Sequence, residues 1–85
     1  MKIKITGAEI KDGVRYNEDF CPIALAVTKM GHKCWVGKQL LFLNGRRHEM
    51  PPQAINFIHR FDNNLYVEPF EFDLPVDDAI LTNTK

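Results

Sequence analysis

Residues 50–74, MPPQAINFIHRFDNNLYVEPFEFDL, decide the fold. Pro51 and Pro52 open a helix where no backbone donor is needed and the fixed φ of proline already suits the first turn. At ~100° per residue, Ala54, Ile55, Phe57, Ile58 and Phe61 fall within an arc of about 160°, and Gln53, Asn56 and Arg60 oppose them. Asp62-Asn63-Asn64 ends the helix, because these side chains compete for backbone groups and tolerate left-handed backbone. The chain then alternates with period two. Phe70, Phe72 and Leu74 face inward while Glu71 and Asp73 face outward. Pro69 cannot donate to a ladder, so the strand starts there or lies at an edge. A short linker joins these two aromatic faces, which predicts that Phe57, Phe61, Phe70 and Phe72 pack together.

Working outward, Asn44-Gly45 predicts a type I′ hairpin between Leu40–Leu43 and Arg46–Glu49. Leu40-Leu41-Phe42-Leu43 is apolar at both parities, as in a central strand covered on both faces. Lys33–Val36 reads as a strand in one of two registers: Cys34 and Val36 inward with Trp35 outward, or the reverse. A helix runs from Pro22 to Met30, with Gly31 as terminator. Ile23, Ala26, Val27 and Met30 share its face. Leu25 lies off it, so the helix is buried between layers or Leu25 belongs to an interface.

Nearer the start, Lys2-Ile3-Lys4-Ile5 alternates, with the isoleucines on one face. Asp12-Gly13 predicts a hairpin between Ala8–Lys11 and Val14–Tyr16. The order is β-β-α-β-β-β-α-β. It implies an α+β fold: a small single domain over residues 1–74 with a mainly antiparallel sheet and two short helices. Residues 75–85 lose periodicity and read as a mobile C-terminal tail.

Eighty-five residues with 45% hydrophobic content and nine aromatics describe one folded domain, in the range where a single core is only marginally sufficient. No run approaches the ~20 apolar residues of a membrane span. The first residues, MKIKITGAEIKDG, alternate charge with apolarity, unlike a secretory signal. The expected location is the cytoplasm, with no membrane partner. Net charge is zero, yet residues 1–50 hold nine Lys/Arg against five Asp/Glu, and residues 51–85 hold two against six. The neutral total argues against a dedicated nucleic-acid binder, while the basic half favours an anionic partner. Internal pairing of the halves, or head-to-tail association of copies, would use the same asymmetry.

The set CPIALA (21–26), PPQAINFIHRFD (51–62) and VEPFEFDL (67–74) resembles a family of short phage and prophage proteins, over roughly residues 20–74. The resemblance carries no activity and no catalytic residues with it. It implies a phage-borne protein of the host cytoplasm. Small accessory phage proteins of this size often act by binding and blocking a host factor, defence systems included, so the resemblance implies a protein that binds and modulates or inhibits a host protein.

The residues themselves argue against an enzyme. Cys21 stands at a predicted helix start, where a thiol can be activated, but no oxyanion hole or third triad member accompanies it. Cys21, His32, Cys34 and His48 include only one close ligand pair, His32-x-Cys34, whereas structural zinc sites show two. Buried, unligated cysteines and no metal or cofactor are expected. The five glycines are isolated, so no phosphate loop is present.

Arg46-Arg47-His48 and His59-Arg60 are the candidate anion contacts. An outward Trp35 near Lys33 would anchor a protein or stack a base. The expected partner surface is therefore Lys33, Trp35, Arg46, Arg47 and His48, with Lys38 and His48 at its rim. The alternative surface is the acidic edge of Glu68, Glu71 and Asp73, continued by Asp77 and Asp78, as a mimic of nucleic-acid phosphates. The leading reading is a binder of a host protein, acting as a small homo-oligomer. Behind it stand a sequestering binder of an anionic small molecule, such as a nucleotide signal, and a weak single-stranded nucleic-acid binder.

Overall fold

A computed structural model describes residues 1–75. The chain forms β1 (Lys2–Ile5), α1 (Gly7–Asp12), α2 (Pro22–Lys29), β2 (Cys34–Val36), β3 (Leu40–Leu43), β4 (Arg46–Glu49), α3 (Pro52–Asp62) and β5 (Phe70–Asp73). The class is α+β and every strand pair is antiparallel, in two sheets ordered β1-β5 and β2-β3-β4. The expected tail lies outside the described residues apart from Pro75. No helix among the described residues is long and apolar enough to cross a membrane.

One expected element is corrected. Residues 7–12 are helical rather than one arm of a hairpin, and residues 13–21 form a loop with no strand. A capping box overrides the Asp12-Gly13 turn signal. Glu9 accepts hydrogen bonds from the Thr6 backbone N–H at 2.6 Å and the Thr6 hydroxyl at 2.7 Å, and the Thr6 hydroxyl accepts from Ala8 N. Gly13 has φ −68°, so it supplies no left-handed turn. Its role is close approach: a Cβ there would stand 2.7 Å from Pro22 Cγ and Cδ.

α2 packs against β1, β2 and α1, and Pro22, Ile23, Ala24, Ala26 and Val27 are all buried. Its apolarity on more than one side therefore reflects burial between layers, and Leu25 is half-buried. α3 contributes Ala54, Phe57 and Ile58 to the same core, which takes Ile3 and Ile5 from β1, Val36, Leu41 and Leu43 from the larger sheet, and Phe72 and Leu74 beyond. The phenylalanines connect in series: Phe61 to Phe57 at 6.3 Å, Phe57 to Phe70 at 4.6 Å, Phe70 to Phe72 at 5.6 Å.

The β1–β5 ribbon ties the first strand to the last described one, with Lys2 opposite Asp73 and Lys4 opposite Glu71. Met1 extends the pairing, since its ammonium donates to Leu74 O and its carbonyl accepts from Leu74 N.

Candidate partner-binding face

Asn44 and Gly45 adopt φ 51° and 84°, the two positive values a type I′ turn demands. This fixes the β3–β4 register as Leu43 opposite Arg46, Phe42 opposite Arg47 and Leu41 opposite His48. Asn44 also sets β2: its N–H donates to Lys33 O, and its side-chain oxygen accepts from Lys33 N at 3.0 Å. Trp35 consequently stands opposite Phe42, and Val36 opposite Leu41.

Period-two alternation then sorts the side chains. Val36, Leu41 and Leu43 point into the core. On the outer face Trp35, Phe42 and Arg47 form one row across the three strands. Lys33 lies two residues before Trp35 on the same parity, and Leu40 lies opposite Glu49 in the next row. The Trp35 and Phe42 rings stack at 4.1 Å and 11°, and Trp35 remains 39% exposed. Of the two registers open to β2, the observed one turns tryptophan outward.

Two expectations are corrected here. β3 is central, but only one of its faces is fully buried: Leu41 and Leu43 are inaccessible, whereas Leu40 and Phe42 are half-buried. Nor do all five expected contact residues share a surface. Lys33, Trp35 and Arg47 do. Arg46 leaves the tip of the hairpin on the opposite side, and His48 follows Leu41 toward the core, where its Nε2 is buried without a hydrogen-bond partner. Adjacent residues of a strand cannot point the same way, so the run Arg46-Arg47-His48 is split by its own geometry. Phe42 was not among the expected contacts. The buried parity of Leu41 and Leu43 identifies it, once that parity is known.

Of the alternative acidic edge, Glu71 and Asp73 lie on β5. Glu71 and Asp73 face Lys4 and Lys2 directly, and Lys2 Nζ also reaches Glu71 Oε2 diagonally at 3.5 Å. Lysines and carboxylates thus share one ribbon, joined by an ion pair whose two partners are both exposed. Glu68 is exposed outside the strand. Asp77 and Asp78 lie outside the described residues.

Of the two cysteines expected to be buried, Cys21 is, and Cys34 is half-buried. Cys21 caps α2, its sulfur accepting from Ala24 N at 3.4 Å. Burial pushes its thiol up to about 11 and that of Cys34 to about 12, opposite to what a nucleophile requires. Among the described residues no three His, Cys, Asp or Glu side chains are grouped to hold a metal ion. Arg60 donates through Nε to Tyr66 O at 3.0 Å, so it holds a loop. No family model, curated protein or solved structure matches the chain.

Proposed function

We propose that the chain is a non-catalytic binding protein that docks a protein of the host cell through the outer face of β2–β3–β4. One observation carries this reading: a strand apolar at both parities offers its second face, Leu40 and Phe42, to the surface beside an exposed tryptophan. Folding accounts for the first face only. Tryptophan and arginine are over-represented among residues that dominate binding energy, and Trp35 and Arg47 flank Phe42 in one row. Lys33 and Arg47 at one end favour carboxylates on the facing surface, and Glu49 at the other favours a cation. The phage setting, the host cytoplasm and action on a defence component come from the sequence resemblance. An open sheet face suits a macromolecule better than a nucleotide, since small-molecule sites are concave.

Capture from host lysate on immobilised protein tests the reading when the two arginines are separated. Arg47→Glu and Trp35→Ala should each abolish capture of the protein that wild type retains, with folding intact. Arg46→Glu, on the opposite side of the hairpin, should spare it. Equal loss from Arg46→Glu and Arg47→Glu would show that hairpin charge, rather than this face, governs binding.

A further inference from the structure

A second surface has the composition of a docking site and lies apart from the sheet face. The loop after α1 and the segment after α3 enclose an open groove of about 1000 Å³. Its walls carry Val14, Tyr16, Leu65 and Tyr66, all exposed; the tyrosines are 70% and 73% accessible. These four are among only seven large hydrophobic side chains exposed over the described residues, so they form a concentration rather than the usual scatter.

Both walls are held by hydrogen bonds that leave the ring of Tyr16 and the side chains of Val14 and Leu65 exposed. α3 ends in a Schellman motif: Asn64 takes φ 61°, Asn64 N donates to Phe61 O, and Leu65 N donates to Arg60 O. The facing loop is tied to that helix end. Tyr16 N donates to Asp62 Oδ1 at 2.9 Å, the Tyr16 hydroxyl to Asn63 Oδ1 at 3.1 Å, and Arg15 Nη1 to Asn64 Oδ1 at 2.6 Å. Tyr16 itself sits at φ 57°, a left-handed backbone that glycine or asparagine adopts more cheaply than a bulky aromatic. The loop thus holds an aromatic ring outward at the expense of local strain. Rigid walls bearing exposed tyrosines are pre-organised for a partner, because little freedom remains to be lost on binding.

Charge selects the occupant. Among the described residues, Lys11 and Arg15 line the groove, no carboxylate does, and neither cation has an ion-pair partner. We infer that this groove docks a short acidic segment of a partner protein, its apolar side chains against Tyr16 and Tyr66 and its carboxylates toward Lys11 and Arg15.

Two short fluorescein-labelled peptides test this on the full chain by anisotropy. One alternates Glu with Leu and Phe; the other replaces each Glu by Lys. The acidic peptide should bind at least tenfold more tightly, and added salt should narrow the gap. Tyr16→Gly should weaken it tenfold or more without lowering the melting temperature. Reversing both cations, Lys11→Glu with Arg15→Glu, should transfer the preference to the Lys peptide, a gain that an unfolded variant could not produce. Equal binding of the two peptides, binding of neither, or an acidic-peptide affinity lost with Trp35→Ala and untouched by Tyr16→Gly would overturn the inference. Tighter binding of an oligothymidylate than of the acidic peptide would also overturn it, in favour of nucleic acid.

Discussion

Replacing Glu9 by Gln isolates the ion pair that clamps α1 onto α2. A six-residue helix has no independent stability, so α1 depends on its cap and on this contact. Glu9 accepts from the Thr6 N–H and hydroxyl and from Lys29 Nζ at 2.6 Å, with its side chain 8% exposed. Burial raises its carboxyl pKa, but the hydrogen bonds from Lys29 and Thr6 outweigh it and hold the group at about 2 against an ordinary 4.5. Each unit of difference is worth ~1.4 kcal/mol, which sets a ceiling of about 3 kcal/mol. Lys29 is 54% exposed and partly hydrated, so we expect about 2 kcal/mol.

The sign follows from a depressed folded-state pKa. The contribution is complete above pH 4.5 and disappears as pH falls toward 2. Urea midpoints of wild type and Glu9→Gln, measured from pH 7 to pH 2, should differ most at pH 7 and converge at the acid end. Gln still serves the capping box, so the difference reports charge rather than helix capping. A constant gap down to pH 2 would refute the reasoning.

Phe57 sits between Phe61 and Phe70 and is buried, so Phe57→Ala should cost about 3–5 kcal/mol, whereas half-buried Phe61→Ala should cost less; chemical denaturation orders them. Gly13→Ala should destabilise by about 1–3 kcal/mol through overlap with the Pro22 ring, and a lowered melting temperature checks it. With thiols held at about 11 and about 12, Cys21 and Cys34 should resist a disulfide reagent at neutral pH and react at a rate that tracks unfolding.

Local chemistry made most of the elements legible. The Pro-started helices, the Asn44-Gly45 hairpin and the Phe70–Leu74 alternation each depend on neighbours within a few residues, and each stands as read. The loss at residues 7–16 came from two local signals in conflict, Thr6-x-x-Glu9 against Asp12-Gly13. Burial of Glu9 beside Lys29, twenty residues away, favoured the helix. The β1–β5 ribbon joins strands about 70 residues apart in the sequence, and no local pattern encodes that pairing. It alone placed Lys2 and Lys4 opposite the acidic residues of β5. The candidate face was half legible: Trp35 and Lys33 depended on a register that period-two alternation leaves open, and alternation itself should have parted Arg46 from Arg47. The Tyr16 groove was hidden because left-handed tyrosine has no sequence signature.

Photo-crosslinking inside host cells tests the central claim most directly. A benzoylphenylalanine introduced as Trp35→benzoylphenylalanine lies in the Phe42 row, and one introduced as Arg46→benzoylphenylalanine lies on the other side of the same hairpin. The account predicts a discrete host-protein adduct from position 35 and none from position 46. An adduct from position 46 with none from position 35 would contradict it.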